Sequence, residues 1–463
     1  MTGNRQSGRV ATTQVPFLNA PPAQARAGTS TPACKDHACQ PHLAIILTSP
    51  LSVVWFRGQI GKLREAGFRV SLISSPGPLT QEAQAEGAEV IAVPMERGIA
   101  PFRDLVSLWR LWRTLRRTRP DIINVGTPKA GLLGGIAARL ASLRGRIYTI
   151  HGLRFETASG FTRTLLRWTE RIACHNAQYV RCVSPSVRER AIQFGVLEPE
   201  KAYVIGAGST NGIDCDHYQA AKNRSHGLRL ALGIPSSAKV VGFVGRFTRD
   251  KGINDLYNAY YRLRCSLPDL HLLLVGCFED LDPIDPGIRN QLQSDKNVHF
   301  AGLVLDTAPY YHVMDVLAFP THREGLGLVS LEAQAAGVPV VATNATGAVD
   351  SLLEEITGKL VPVCDEEALA AALLELLADP EKRLRMGRAG ANWVRRQFQR
   401  DIIWDALLQD YRRILREESD NRVAQSSVFG RMKSVFGRIR RPYRTAQCGN
   451  VPVPTSLCSR KPH

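Results

Sequence analysis

The stretch THREGLGLVSLEAQAAGVPVVAT, residues 321–343, carries more information about how this chain folds than any other. An apolar run, Val316–Phe319, comes before it and reads as a strand, and a second apolar run closes it at residues 338–343. Between the two lie a loop with two glycines and a segment with helical spacing. This order predicts a βαβ unit whose loop lies at the carboxyl end of a parallel strand, where open α/β sheets bind ligands.

The residues of this loop are suited to an anionic ligand that also carries hydroxyl groups. Gly325 and Gly327 allow the backbone to approach a bound group closely. The helix predicted to begin near Leu328 directs its free N–H groups and the positive end of its dipole towards an anion. Glu324 precedes the loop and Glu332 lies about a turn into the helix, and carboxylates accept hydrogen bonds from sugar or ribose hydroxyls. The stretch therefore predicts a site for a phosphate-linked sugar.

A second motif, GFVGRFTRDKG at residues 242–252, strengthens this prediction. The run Val240–Val244 reads as a strand, and Lys251 leads into a helix that begins near Ile253. Arg246 and Lys251 therefore lie at the mouth of a neighbouring strand, where arginine offers a planar fork for phosphate oxygens and lysine a compact charge. Two cations and a helix end offset the roughly two negative charges of a diphosphate without a divalent metal. Solvated surface charges are the alternative for either motif alone; the two together favour a diphosphate site.

The rest of the chain alternates strand and helix in two series. Apolar strands are predicted between residues 43 and 183 and again between residues 240 and 361, with helical segments separating them. Such alternation predicts an α/β fold with two doubly wound parallel sheets. Because the two series join near residues 206–220, we expect two domains with a ligand cleft between them.

The motifs GR-x4-KG and E-x7-E, with NGID before them, resemble retaining glycosyltransferase family 4, which has the GT-B fold. The likeness extends over residues 42–415, and segments such as GTPKAGLLGG, HGLRFET, VSPSVRERA, GSTNGID and GAVDSLLEE resemble bacterial members that build capsule, exopolysaccharide or O-antigen chains. The resemblance implies two Rossmann-like domains facing across a cleft, with a C-terminal helix that returns to the first. It also implies a metal-independent hexosyltransferase that moves a sugar with retention from a nucleotide sugar, with UDP the expected nucleotide, to a polyprenyl-diphosphate-linked saccharide.

The resemblance also implies a role for each residue of the donor motifs. Arg246 and Lys251 would bind the donor diphosphate. Glu324 would act at the donor sugar, and Glu332 would hold the ribose of the nucleoside. Contacts to phosphate are implied for the amides of Gly325, Leu326 and Gly327.

Three residues are expected on the acceptor side of the cleft. His151 follows the predicted strand Ile147–Ile150 and matches the family's histidine near the reacting sugar, although a lone histidine here is often structural. Lys129 begins a helix after another strand, where it meets a phosphate of the acceptor or is simply solvated. Asn211 fits the family's hinge motif and is expected to line the cleft.

The boundaries of the predicted domains follow from these patterns. The segments are a disordered N-terminal tail (1–41), an acceptor domain (42–205), a nucleotide-sugar domain (206–385), helices returning to the first domain (386–418) and a basic tail (419–463).

Charge and hydropathy indicate how the chain meets its surroundings. The net charge is +17, and residues 421–463 contain nine Lys or Arg and no acidic residue. With no apolar run long enough to span a membrane and no signal peptide, the chain is expected in the cytoplasm. The basic tail has an apolar face formed by Phe429, Met432, Val435, Phe436 and Ile439. We expect it to lie on the anionic inner face of a membrane, the alternative being a disordered tail. No nucleic-acid-binding motif accompanies the charge, so no nucleic acid is expected as a partner.

One predicted helix of the first domain combines an apolar stripe with several arginines. Leu105, Leu108, Trp109, Trp112 and Leu115 recur at helical spacing with arginines between them. The apolar stripe predicts packing on the first sheet, with arginine stems and tryptophan edges available to lipid headgroups.

Other chemistries are disfavoured by the patterns themselves. GAGSTNG, residues 206–212, has the wrong glycine spacing and no convincing apolar helix after it, which argues against a dinucleotide fingerprint. Asp214 and Asp216 spell D-x-D, but the first belongs to NGID and the diphosphate site is already cationic. A group of Cys and His residues lacks standard zinc spacing, namely Cys34, His37, Cys39 and His42. We therefore expect neither metal nor cofactor.

Two other functions use the same features. A nucleotide-sugar epimerase or hydrolase would employ the donor site but needs further acid–base side chains, which the sequence does not identify. A non-catalytic membrane or nucleic-acid adaptor would rely on the basic tails alone, and complete donor motifs argue against it.

Overall fold

Two parallel sheets form the frame of the structure, a computed structural model that describes residues 40–96, 98, 100–280 and 282–439. Side chains are described for these residues except 226 and 422–439. The predicted N-terminal tail, its Cys34, His37 and Cys39, and the end of the basic tail therefore lie outside the described residues.

The first sheet has seven strands in the order β3-β2-β1-β4-β5-β6-β7, all parallel. Its strands are β1 (His42–Leu47), β2 (Arg69–Ser74), β3 (Glu89–Ala92), β4 (Ile122–Val125), β5 (Arg146–Ile150), β6 (Tyr179–Cys182) and β7 (Ala202–Val204). The helices between them are α1 (Gln59–Glu65), α2 (Thr80–Ala85), α3 (Pro101–Thr118), α4 (Pro128–Leu140), α5 (Gly160–Asn176) and α6 (Pro185–Gln193). A 3-10 segment, Pro50–Phe56, follows β1. Central strands such as β1 are completely buried, as expected for a parallel sheet covered on both faces.

The second sheet has six parallel strands in the order β10-β9-β8-β11-β12-β13. Its elements are α7 (Cys215–Ala220), α8 (Lys222–Ala231), β8 (Lys239–Val244), α9 (Ile253–Arg264), β9 (Leu270–Val275), α10 (Pro286–Ser294), β10 (Val298–Gly302), α11 (Ala308–Tyr311), β11 (Val316–Phe319), α12 (Leu328–Ala335), β12 (Val340–Thr343), β13 (Gly358–Val361) and α13 (Glu366–Ala378). The strand order reverses between the neighbours β8 and β11, so a crevice opens where their carboxyl ends diverge. Both sequence motifs lie on loops that leave these two strands.

The last two helices connect the domains. Helix α14 (Pro380–Phe398) packs on α12 of the second domain, and α15 (Arg400–Ile439) returns to the first sheet, as predicted. There Tyr411 is buried in the core and Asn124 of β4 donates a 2.9 Å hydrogen bond to its hydroxyl. A buried ion pair, Arg181 to Asp410 at 2.6 Å, fixes the same helix to β6. Helix α15 runs on to Ile439, beyond the end near residue 417 that the sequence pattern indicates.

Helix α3 corrects one expectation. Its buried side chains are Ser107, Leu111 and Leu115, whereas Leu105 and Trp109 of the predicted packing stripe face solvent. Among the described residues, no helix is long and apolar enough to cross a membrane.

Candidate active site

The candidate site is a cavity of about 200 Å³ between the two domains. Its walls come from the loops that leave β8 and β11 on one side and from the end of β5 and the segment after β1 on the other. The side chains of Lys251, Glu324, His151, Trp55 and Thr210 line it. The structure thus brings the two glycine loops of the sequence motifs together at a single site facing the first domain.

Lys251 and Glu324, from different motifs, form an ion pair in which both side chains are mostly buried. The approach depends on Gly252, which caps α9 with a φ of 72°. A Cβ at this position would overlap the carbonyl oxygen of Pro320 and lie 2.7 Å from its carbonyl carbon. Only glycine lets the lysine loop reach the glutamate loop, so the cation and the carboxylate share one corner of the cavity.

The glycine loop at residues 325–327 borders both the cavity and the first domain. Gly327, with a φ of 72°, caps α12, whose first residues Leu328 and Val329 line the cavity. The first-turn amides of α12 therefore adjoin the space beside Lys251, which suits an anion. On the other side, a Cβ on Gly325 would overlap the carbonyl oxygen of His151 and lie 3.0 Å from its carbonyl carbon. The two domains are in direct backbone contact here.

His151 lies at the end of β5, as predicted, and its ring is held from two directions. The ring stacks on Trp55, with centroids 4.4 Å apart, and its Nδ1 lies 3.2 Å from the Thr210 hydroxyl oxygen. Burial, followed by the charge of Arg181, lowers the pKa of His151 to about 3. The ring is therefore neutral near pH 7, and its Nε2 is buried without a hydrogen-bond partner among the described residues. A neutral imidazole with one unsatisfied nitrogen is suited to a ligand hydroxyl.

Two donor residues lie outside the cavity lining. Arg246 is half exposed and forms an ion pair with Glu279 of the loop after β9. The Glu332 carboxylate accepts a 2.7 Å hydrogen bond from the Tyr311 hydroxyl and a 3.4 Å bond from Thr307, and burial raises its pKa. Each is already paired with another side chain, so a ligand would have to exchange partners with them.

The structure does not place Lys129 or Asn211 at the cavity. Lys129 lies in an ion pair with Asp104 of α3, at 2.7 Å, so its charge is compensated. The Asn211 amide is satisfied inside the fold: its nitrogen donates to the carbonyl of Arg57 at 2.9 Å, and its oxygen accepts from the Trp404 indole at 2.8 Å. Asn211 thus joins the first domain to α15 instead of lining the cleft, which is not the geometry expected for an acceptor contact.

Contacts between the domains flank the cavity, and the sequence motifs gave no sign of them. The Arg323 guanidinium donates to the Thr157 hydroxyl at 2.9 Å, and Thr346 donates to Glu156 at 2.9 Å. Asp350, to which the sequence assigned no role, accepts a 2.9 Å bond from the amide of Ser186 at the start of α6. Further residues that the motifs did not single out are those of the cavity wall, Trp55 and Thr210.

The carboxylates considered for metal binding are otherwise engaged. Asp214 pairs with Arg400 at 3.2 Å and Asp216 with Arg395 at 2.7 Å. His42, the described member of the Cys and His group, bonds to the Ser71 hydroxyl at 2.7 Å. Within the described part of the chain, one group of potential ligands comes together, formed by Asp255, His322 and Cys364. It lies outside the cavity lining.

Comparison with known families agrees with this architecture. The family pattern described as Glycosyl transferases group 1 matches residues 228–393, and the pattern described as Glycosyl transferase 4-like domain matches residues 54–208. Among solved structures, Anabaena HepE in complex with UDP-glucose superimposes with a TM-score of 0.67 at 21% identity, over 82% of this chain and 99% of that one. WaaG, a glycosyltransferase of lipopolysaccharide biosynthesis, gives 0.62 at 18% identity over 80% of this chain and 99% of that one. Fold, cleft and family patterns define a glycosyltransferase with the GT-B fold.

Curated relatives extend the likeness along nearly their whole length. The chain is 37% identical over 372 residues to the capsular polysaccharide biosynthesis glycosyltransferase CapM of Staphylococcus aureus, covering 80% of this chain and 97% of that protein. It is 28% identical over 318 residues to the UDP-Gal:alpha-D-GlcNAc-diphosphoundecaprenol alpha-1,3-galactosyltransferase of Escherichia coli, over 67% and 81% of the two chains. The chain belongs to the group 1 glycosyltransferases.

Proposed function

We propose that this glycosyltransferase moves a hexose with retention from a UDP-sugar to a saccharide carried on polyprenyl diphosphate, in the synthesis of a surface polysaccharide. The observation that carries the proposal is the meeting of Lys251, Glu324 and the first turn of α12 opposite His151. A capsular relative and a diphosphoundecaprenol-dependent relative support the choice of acceptor.

Donor binding would exchange the partners that these residues have in the structure. The donor diphosphate takes Lys251 from Glu324 and draws Arg246 away from Glu279. It lies against the amides of residues 325–327 and the first turn of α12. Glu324, once released, accepts a hydrogen bond from a sugar hydroxyl, and Glu332 exchanges a tyrosine partner for the ribose. The cations and amides then stabilise the charge that develops on the departing diphosphate, and they need little rearrangement at that moment.

The residues on the acceptor side of the cavity would position the acceptor hydroxyl and would not take its proton. His151 is neutral, and its free Nε2 holds a sugar hydroxyl beside the anomeric carbon. The contacts between the domains exclude water and fix the acceptor hydroxyl at attacking distance. Among the described residues that line the cavity, Glu324 is the single carboxylate and has a role at the donor, so no protein base is assigned. In a retaining reaction of this kind, an oxygen of the donor phosphate takes the proton of the acceptor hydroxyl.

The few acid–base side chains among the described residues that line the cavity also argue against an epimerase or hydrolase. Such a reaction needs a second acid–base group at the sugar. The described lining provides Glu324, a neutral His151 and a cationic Lys251. Incubation with UDP-sugars alone is the discriminating measurement: isomerisation or release of free sugar without acceptor, at a rate matching transfer, would favour that reading.

The direct test combines a donor screen with paired variants. UDP-sugars are incubated with polyprenyl-diphosphate-linked acceptors and the products are read by mass spectrometry. Glu324→Ala and Arg246→Ala are each expected to abolish transfer. Arg249→Ala is the matched control for Arg246, because it removes an exposed arginine of the same loop that is paired with Asp282 at 3.5 Å. Near-full activity in either site variant would overturn the assignment.

The proposed acceptor places the enzyme at the inner face of a membrane. The proposal includes peripheral attachment to that membrane through the basic tail at residues 419–463. The side chains of this tail from residue 422 onwards lie outside the described residues.

A further inference from the structure

Two helices of the first domain present large apolar side chains to solvent. On α3, Phe102 is 87% exposed and Trp109 is 53% exposed. On α5, Phe161 is 81% exposed and Trp168 is 58% exposed. Scattered single apolar residues on a surface need no explanation, but four exposed aromatic rings on two helices that both pack on α4 do.

The exposed residues follow the helical repeat, so each helix carries a continuous outer stripe. On α3 the stripe consists of Phe102, Leu105, Val106 and Trp109. On α5 it consists of Phe161, Leu165, Trp168 and Ile172, of which Leu165 is half-buried. Both helices pack against α4, so the two stripes belong to one surface of the domain. We call this surface the α3/α5 face.

The α3/α5 face is strongly basic. Besides Arg103, which pairs with Glu96, the two helices carry seven exposed arginines: Arg110, Arg113, Arg116, Arg117, Arg163, Arg167 and Arg171. Two of them, Arg163 and Arg167, lie beside Phe194 at the end of α6 and therefore border the face. None of the seven forms an ion pair with a described residue. The two acidic residues of these helices do not offset the charge, because Asp104 is paired with Lys129 and Glu170 is buried. Arg113 lies over the Trp109 ring at 5.6 Å and Arg171 over the Trp168 ring at 5.9 Å, so charge and aromatic surface alternate.

The position of the face relates it to the cavity. Helix α3 follows β3 and α5 follows β5, so both begin at the edge of the first sheet where the strands end. His151 lies at that same edge. Phe102 and Phe161 occupy the first turns of their helices, so among the four exposed rings they lie towards the edge of the sheet where the strands end.

We propose that the α3/α5 face is a docking surface for an anionic lipid bilayer, with the four aromatic rings in the interface and the arginines among the headgroups. An outer stripe of Trp, Phe and Leu bordered by arginine is the composition of helices that lie in the plane of a membrane. Arginine stems cover apolar surface while their charged ends remain hydrated at the headgroups. This inference rests on the proposed lipid-linked acceptor, whose anchor would remain in the bilayer while its saccharide reaches the cleft from the adjoining edge.

A second copy of the chain is a poorer occupant of this face. A two-fold dimer would bring the unpaired arginines of one face against those of the other, and the two acidic residues of these helices are paired or buried. An anionic bilayer supplies the missing negative charge together with an apolar layer for the rings.

The test uses the full chain, because the basic tail can also bind lipid. Vesicles of equal parts phosphatidylglycerol and phosphatidylcholine are prepared with brominated acyl chains, which quench tryptophan fluorescence on contact. The wild-type chain should bind and be quenched, whereas Trp109→Phe with Trp168→Phe should still bind and lose most of the quenching. Bound wild-type protein without quenching, or unchanged quenching in the double variant, would overturn the proposal whatever the tail does.

A charge series provides the second measurement. Near an anionic surface each base contributes about 1 kcal/mol, so Arg110→Gln, Arg113→Gln and Arg117→Gln together should weaken partitioning about a hundredfold. The control is the triple change Arg385→Gln, Arg388→Gln and Arg396→Gln on α14, which removes three exposed bases from the second domain. Equal losses in the two triples, equal binding to vesicles of phosphatidylcholine alone, or tighter binding to RNA than to vesicles would each refute a specific lipid face.

Failure of this inference can be told apart from failure of the proposed function. With the acceptor dissolved in detergent, the α3 triple variant should transfer sugar at the wild-type rate, since none of its three residues lines the cavity. Sugar transfer without tryptophan quenching would refute the docking face and leave the proposed function supported. Tryptophan quenching without transfer to any polyprenyl-diphosphate acceptor would refute the proposed function.

Discussion

Gly325→Ala is the change whose effect on catalysis follows most directly from the structure. The added methyl would overlap the carbonyl oxygen of His151, lie 3.0 Å from its carbonyl carbon and lie 3.1 Å from a methyl of Val183. Carbon atoms pack at about 3.5–4.0 Å, so the two backbones must separate by roughly 0.5–1 Å. The φ of residue 325 is not in the left-handed region, so the effect is purely steric.

The separation would act on the reaction more than on folding. The two backbones belong to different domains, so opening the cleft relieves the clash at the expense of the small apolar cluster that joins Val183 to Leu326, and it leaves the core around each sheet intact. A misplacement of about 1 Å between reacting groups can cost about a hundredfold in rate, and we expect kcat/KM to fall by about that factor. The unfolding temperature should remain close to that of the wild-type chain, because both hydrophobic cores stay intact.

Initial rates of transfer and a thermal melt are the two measurements. Gly61→Ala is the matched control: this glycine lies in α1, a Cβ there meets nothing within 4 Å, and its φ is not positive. The control should keep full activity and gain up to about 1 kcal/mol of stability from helix propensity. Wild-type kcat/KM in Gly325→Ala would refute the reasoning that backbone contact sets the geometry of the cleft, and equal losses in both variants would refute its link to the site.

Three further changes test separate parts of the account. Lys251→Met should lower kcat/KM by about 10²–10³-fold by removing a cation from the leaving diphosphate, measured as initial rates against donor concentration, and a loss below tenfold would contradict that role. Glu170→Gln should raise the melting temperature at pH 8 and leave it unchanged at pH 4. Burial lifts the pKa of this carboxyl to about 7 beside the Tyr148 hydroxyl at 2.7 Å, so the folded state binds the extra proton and stability falls as pH rises from about 4.5 to about 7. Asp350→Ala removes the partner of the Ser186 amide and should reduce turnover several-fold with donor affinity retained; an unchanged kcat would show that this contact does not hold the cleft.

The strands and the two ligand loops were predictable because their signals are local. A run such as Val316–Phe319 followed by glycine and a helix-forming segment defines a strand, a loop and a helix without reference to the rest of the chain. Two such units, with the same chemistry at the same end of a parallel strand, were enough to indicate one ligand crevice. The strand order makes β8 and β11 neighbours, so the loops of the two units lie side by side.

The partners of individual side chains were not predictable in this way. Asn211 is satisfied by Trp404, 193 residues further along the chain, and Asp350 meets Ser186 across 164 residues. No spacing rule connects such positions, so a residue in a ligand-like motif can turn out to be a structural link. Only the assembled fold shows which polar groups remain available.

The prediction of which side of α3 packs on the sheet was wrong for Leu105 and Trp109, and for a different reason. Apolar residues occupy more than one side of this helix, so periodicity alone supports several rotations about its axis. Packing on α4 selects the rotation that buries Leu111 and leaves Trp109 outside. The arginines between the apolar residues gave the better clue, since they mark an outer surface whichever rotation is chosen.

In the ion pair between Lys251 and Glu324, the protein itself supplies the counterion of the lysine. A ligand that offers negative charge alone, such as chloride, would pair with the lysine and leave the glutamate without its charged hydrogen-bond donor. A sugar diphosphate, the donor of the proposed function, offers both groups: phosphoryl oxygens for Lys251 and hydroxyls for Glu324. The proposed function therefore implies that the site discriminates against simple anions, because a single charge can replace only one partner of the pair.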